Sequence, residues 1–261
     1  MVNSTNLRKT ETQYSSQSEI GKLTQECDMP GSSKAAIKPV MNQPFPPGSE
    51  TGLARATSHT GMKKIGFLSF GHWSQSAGSQ TRSASDALLQ SMDLAVAAEE
   101  LGADGAYFRV HHFARQLASP FPLLAAVGAR TSRIEIGTAV IDMRYENPMY
   151  MAEDAGAADL IAGGRLQLGI SRGSPEQVTD GWRYFGYVPT EGQSDIDMAR
   201  QHAEIFLEVL RGKGFAQPSP RPMFPNPPGL LRIEPHSESL RDRIWWGAAT
   251  NATAEWAARL A

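Results

Sequence analysis

From Met62 onward, short apolar runs alternate with longer stretches in which apolar residues recur every three or four positions. That is the strand and helix alternation of a parallel α/β fold. Residues 64–70 (KIGFLSF) form a run of strand length. A helix is expected over about 85–101, with Leu88, Leu89, Met92, Ala95 and Val96 as its buried stripe and Gly102 placed to end it. Residues 105–110 (GAYFRV) read as a second strand, and Ser119 before Pro120 opens a second helix that runs to about Arg130. The β-branched run 134–140 (IEIGTAV) is the third strand. Asn147-Pro148 opens a helix that Gly163-Gly164 closes, and 165–170 (RLQLGI) is the fourth strand. Ser194 or Asp195 caps a helix to about Arg211 with Met198, Ile205, Phe206, Val209 and Leu210 buried. A Pro-rich stretch, 217–229, is longer than an ordinary connection and reads as a lid or insertion. Residues 243–248 (RIWWGA) give a fifth strand, and 253–261 begin another helix.

Before Met62 the pattern is absent. Residues 1–61 are rich in Ser, Thr, Gln, Lys and Pro, and only Tyr14 and Phe45 supply aromatic rings. All five tryptophans lie later, and 42–49 (NQPFPPGS) reads as linker. The expectation is a disordered extension over 1–61, either an unstructured tail or a stretch upstream of a start at Met62, ahead of one α/β domain over 62–261. Regular alternation suits a doubly wound sheet or a (β/α)8 barrel. The first strand-to-helix junction, residues 69–83, is long and polar and carries no G-x-G-x-x-G, and no P-loop occurs, so the barrel is favoured.

Composition narrows the function classes. The 261 residues carry a formal charge of -2, without the basic excess that a nucleic-acid partner requires. The single cysteine, Cys27, excludes an internal disulfide. No apolar run is long enough to span a membrane and no signal-peptide core precedes Met62, which gives a cytoplasmic setting as the expectation.

In a barrel, reactive groups sit at the carboxyl ends of strands. There the sequence places His111 and His112 after strand two. Adjacent residues on an extended segment point to opposite sides, and no carboxylate or cysteine lies at ligand spacing, so a metal site is not expected. One imidazole could simply pack in the wall; a position at a strand end favours a proton-handling role for at least one of the pair. After strand four, Ser171, Arg172, Gly173 and Ser174 form a glycine-bearing turn with a forked donor, suited to an oxyanion. After strand five, Thr250, Asn251 and Thr253 lie at a helix start, where N–H groups favour a negative charge. Read blandly, these are a surface arginine and helix caps; together, on neighbouring strands, they point to a phosphate-bearing ligand. Trp245 and Trp246 straddle the two faces of strand five, so one should face the barrel interior and the other the helical layer.

Taken in order, KIGFLSFGHW, HHF, GTAV, AEDAGAADLIAGGRLQLGISRG (152–173) and TAEWAA (253–258) resemble the luciferase-like, flavin-dependent monooxygenases, a group that includes bacterial luciferase. The resemblance implies a (β/α)8 barrel that binds reduced FMN, often supplied by a separate flavin reductase, and uses oxygen on a small-molecule substrate. It implies His111 as catalytic histidine with His112 as its neighbour. It places Thr138, Ala139 and Val140 against the flavin ring, with a non-proline cis peptide at Ala139-Val140. Ser171 stands where luciferase has a reactive cysteine. Arg172 and Ser174 imply one half of a phosphate site, and Thr250 and Thr253 the other. Family members continue beyond the fifth strand, so the expectation is a truncated barrel, weakly active or inactive alone, that would form a homo- or heterodimer when complete. Two alternatives stay open: a deazaflavin-dependent dehydrogenase of the same superfamily, and a non-catalytic flavin-binding or subunit-stabilising protein.

Overall fold

The computed structural model describes residues 63–173 and 176–260. The extension over 1–61 therefore lies outside the described residues, as does Ser174. Five strands, β1 (Gly66–Ser69), β2 (Gly105–Phe108), β3 (Glu135–Asp142), β4 (Leu166–Ser171) and β5 (Ile244–Trp246), form one sheet in the order β1-β2-β3-β4-β5. Every pairing is parallel. Helices α1 (Ala84–Glu100), α2 (Pro120–Arg130), α3 (Pro148–Ile161) and α4 (Asp195–Val209) make the four crossovers, and α5 (Asn251–Ala258) follows β5. These are five consecutive βα units of a (β/α)8 barrel. Among the described residues β1 and β5 do not pair, so the sheet is an open arc.

Local sequence explains most boundaries. Ser83 and Ser194 each cap a helix in a reciprocal box with Asp86 and Asp197. The Asn147 side chain accepts from the N–H groups of Met149 and Tyr150, with Pro148 at the first helical position. Thr250 caps α5, which starts two residues earlier than its apolar pattern suggests because the Thr250 hydroxyl accepts from the Thr253 N–H.

The side of the sheet facing the helices carries the core. Ile136, Leu166, Leu168 and Ile170 are fully buried there with Phe108, Leu124, Val127 and Phe206. The stripe expected on α1 is corrected: Ala87, Ser91, Ala95 and Ala98 face the core, while Leu88 and Leu89 are 42% and 53% exposed. Small residues let this helix approach the sheet closely, which turns the leucines outward. On α4 the expected stripe holds for Met198, Phe206, Val209 and Leu210, joined by Ala199 and Ala203.

The opposite face is the barrel interior. Leu68, Tyr107, Gly137 and Gln167 lie in one row across β1 to β4, and Gly169 pairs with Trp245. A Cβ on Gly105 would sit 2.6 Å from the Tyr107 ring, and one on Gly169 would sit 2.4 Å from the Trp245 indole. Glycine at these two positions is what lets two large rings lie flat across the inner face. Trp246 turns to the helical layer and meets Trp256 edge on, with centroids 4.7 Å apart. The two tryptophans therefore divide between the faces as the strand period requires.

Between α4 and β5 the chain makes a long excursion with an isolated antiparallel bridge, Ala216 to Leu231. It is anchored by Asp159 on α3, fully buried, whose carboxylate takes Arg243 Nη1 at 2.7 Å and the Ser237 hydroxyl at 2.5 Å. The Pro-rich 217–229 stretch is largely exposed.

Candidate functional site

The carboxyl ends of β2, β3 and β4 border a small cavity lined by Arg109, Val110, His111, His112, Val140, Asp142, Tyr145, Gly173 and Glu176. A larger apolar hollow of about 410 Å³ lies along β5 between Trp246, Trp256 and Leu207, away from the histidines. The adjacent histidines lie on the first, together with Asp142, Tyr145 and Glu176.

His111 and His112 both border this cavity, a correction to the opposed directions expected from an extended segment. The reason is local: β2 ends at Phe108, and the chain then turns, with Phe113 at φ 58° and the His111 N–H donating to the Leu117 carbonyl. Arg109 precedes His111 by two residues, and its Nε donates to His111 Nε2 at 3.0 Å. Burial, then the Arg109 and His72 charges, holds His111 below the usual histidine range. The His112 ring stacks on Tyr145, centroids 4.1 Å apart and planes 18° apart, with Phe185 edge on at 5.1 Å. Burial and the neighbouring His111 bring His112 down to about 4, so it is neutral at physiological pH. Its Nε2 is buried and finds no hydrogen-bond partner among the described residues.

Behind the histidines stands a buried ionic cluster. Arg144 Nε lies 3.0 Å from Asp142 Oδ1, and its Nη1 reaches Asp195 Oδ2 at 2.9 Å. Its Nη2 pairs with Glu176, and its guanidinium lies over the Trp182 ring at 4.6 Å. Glu176 in turn accepts from the Tyr145 hydroxyl and from the Gly181 N–H. One arginine thus ties the end of β3, the β4–α4 loop and the first turn of α4 together.

The strand-three segment turns sharply. The Ala139–Val140 peptide is cis, and the β3–β4 register shifts between Thr138 and Ile141. Thr138 is fully buried with its hydroxyl donating to the Gly169 carbonyl at 2.9 Å, so it serves the sheet and is withdrawn from the side chains open to a ligand. Val140 and Ser171 come together against β5: a Cβ on Gly247 would lie 3.4 Å from Val140 Cγ1 and 3.6 Å from Ser171 Cβ. Val140, Ser171 and Gly247 thus meet just beyond the carboxyl end of β5, where glycine leaves room beside the other two. The Ser171 hydroxyl accepts from the Gly173 N–H at 2.9 Å. Arg172 is exposed at the end of β4, and on the adjacent strand Thr250 and Thr253 sit at the start of α5 with their hydroxyls 2.9 Å apart.

Sequence reading missed Arg109, Tyr145, Glu176 and Gly247. Arg109 was within reach, since it lies two residues before His111 in the strand expected over 105–110. Tyr145 and Glu176 are 31 residues apart in sequence, and only the fold joins them.

Residues 62–261 match the luciferase-like monooxygenase family, and the chain belongs to it. It is 30% identical over 200 residues to the uncharacterized protein y4wF of Sinorhizobium fredii, covering 75% of this chain and 54% of that one. It is 25% identical over 170 residues to the alkanal monooxygenase alpha chain of the Kryptophanaron alfredi symbiont, 64% of this chain and 45% of the relative. The crystal structure of the monooxygenase RslO1 from Streptomyces bottropensis superposes with a TM-score of 0.59 at 25% identity, over 76% of this chain and 57% of that one. Shorter matches include an F420-dependent glucose-6-phosphate dehydrogenase of Nakamurella multipartita. The chain spans about half the length of the curated relatives it matches. No helix among the described residues is long and apolar enough to cross a membrane.

Proposed function

We propose that this chain carries the flavin-binding half of a luciferase-like monooxygenase that uses reduced FMN and oxygen on a small organic substrate. The observation that carries the reading is that His111 and Val140 line one cavity at the carboxyl ends of adjacent strands, with Val140 in turn meeting Ser171 and Gly247. The donor set fits the group: small residues where Val140, Ser171 and Gly247 meet for a planar ring, and for a phosphate an exposed guanidinium, Arg172, just past β4 and the paired Thr250 and Thr253 hydroxyls just past β5. Reduced FMN, when bound, supplies the electrons that activate oxygen. The protein's own part is to orient and to dry the site. Tyr107 and Trp245 floor the interior with apolar surface, Arg172 and the α5 N-terminus hold the phosphate, and His111 handles a proton beside the reacting atoms.

The test is titration of the full chain with FMN and with riboflavin, followed by absorbance with and without dithionite, and then oxygen uptake. Binding of FMN more tightly than riboflavin, with Arg172→Gln erasing roughly tenfold of that preference, or about 1.4 kcal/mol, is the expected result. Equal affinity for both, unaltered by Arg172→Gln, removes the phosphate assignment. A second reading, a deazaflavin-dependent dehydrogenase, draws support from the F420-dependent relative; hydride transfer to F420 without oxygen uptake would favour it.

A further inference from the structure

We propose that Arg109 is a positioning residue for His111, holding the imidazole neutral with its proton on Nδ1. This rests on the reading of His111 as the proton-handling group. The argument starts from what each atom can do. A guanidinium keeps its protons throughout the accessible pH range, so in the Arg109 Nε to His111 Nε2 contact of 3.0 Å the arginine donates and the imidazole nitrogen accepts. A nitrogen that accepts carries no proton, so the neutral ring must hold its proton on Nδ1. Protonating Nε2 would destroy the bond and set two cations side by side.

The surroundings limit what else could set the state of this ring. Arg109 and His111 line the same cavity, and Arg109 Cζ lies 5.6 Å from the centre of the Phe70 ring of the β1 exit, a second contact on the guanidinium. His72, from the same exit, is tied to Gln116 and adds a second basic group beside His111. The carboxylates bordering the cavity, Asp142 and Glu176, are both engaged by Arg144, and the Tyr145 hydroxyl donates a hydrogen bond to Glu176. His112 is itself neutral. The described charged group within hydrogen-bond reach of the His111 ring is therefore Arg109.

The consequence for chemistry is directional. His111 acts first as an N–H donor through Nδ1, and it can take up a proton at Nε2 only by giving up its bond to Arg109. A ligand that needs a base here must therefore displace the guanidinium, whereas one that needs a donor finds it ready.

Long-range 15N-1H correlation spectra of the full chain report this directly and require neither cofactor nor turnover. His111→Gln assigns the resonance pair. The expected wild-type result is a protonated Nδ1 and an unprotonated Nε2 near neutral pH. In Arg109→Met the proton should move toward Nε2, and the midpoint of the His111 titration should rise toward the ordinary value of about 6.5. A wild-type Nε2 that carries the proton overturns the proposal, and so does an Arg109→Met protein with unchanged tautomer and midpoint. If that variant does not fold, the wild-type spectrum still decides. Failure of FMN binding would remove the reading of the site while leaving this assignment intact.

Discussion

The His112 imidazole lies flat on the Tyr145 ring, 4.1 Å between centroids, while the Tyr145 hydroxyl is held by Glu176. A histidine from the β2 exit is thereby fixed by a tyrosine from the β3 exit, which is itself fixed by a carboxylate from the β4 exit. The contact couples three strand ends that no local sequence feature links.

Splitting that coupling gives the first prediction. Tyr145→Phe keeps the stack and removes one hydrogen bond, with Glu176 still bound by Arg144 and the Gly181 N–H, so a loss of about 1 kcal/mol is expected. Tyr145→Ala removes the ring against which both His112 and Phe185 pack, and should cost roughly 3–5 kcal/mol. Urea unfolding of both variants measures the difference; equal losses would mean that the ring contributes nothing beyond its hydroxyl.

Arg144→Met leaves Asp142, Glu176 and Asp195 facing one another without their counter-charge. Breaking such a buried cluster costs about 3–5 kcal/mol at neutral pH. Burial already pushes the Asp142 carboxyl up against the pull of Arg144, and without the arginine it rises further. Protonation then relieves the repulsion, so the gap in urea midpoint between variant and wild type should narrow as pH falls from 7 toward 5. A gap that is the same at both pH values would show the loss to be one of packing alone.

Glu146 is pushed up to about 7 by burial and by the nearby Asp142 and Asp154. A carboxyl whose folded value is raised favours folding most when protonated, and that contribution is lost as pH climbs from its unfolded value of about 4.3 through 7. Glu146→Gln should therefore match wild type near pH 4 and exceed it in thermal midpoint at pH 8. Identical midpoints at pH 8 would place the charge of Glu146 in water.

Glu99 behaves in the opposite sense. Burial would raise it, yet the backbone N–H groups of Ile134, Arg133 and Ser132 outweigh burial and bring it down to about 2. Its contribution is present above the ordinary carboxylate range and is lost as pH falls from about 4.3 through 2. Glu99 ties the end of α1 to the entry of β3. Glu99→Gln should be less stable at pH 7, and its acid unfolding should lack a step that wild type shows in that window. Superimposable acid limbs would sink the assignment.

The elements themselves were legible because their signals are local. Ser119, Asn147 and Ser194 announce helix starts, and runs such as IEIGTAV announce strands by residue type and period. The α1 face was misread for a physical reason: hydrophobicity ranked its leucines above its alanines, but close packing on the sheet selected by size. The histidine pair was misread because the strand stops at Phe108, three residues before the first of them, and strand alternation no longer governs direction.

By itself, the sequence determined the βα order, several of the helix starts, and which residue types stand at the strand exits, since each depends on neighbours within a turn or a strand period. Only the tertiary structure decided that Thr138 spends its hydroxyl on β4, that Val140, Ser171 and Gly247 meet, and that Arg144 gathers three carboxylates behind His112. Apart from the Arg144–Asp142 pair, those relationships join segments 30 residues or more apart, and the sheet register and close packing that bring them within a few ångströms are properties of the folded chain as a whole.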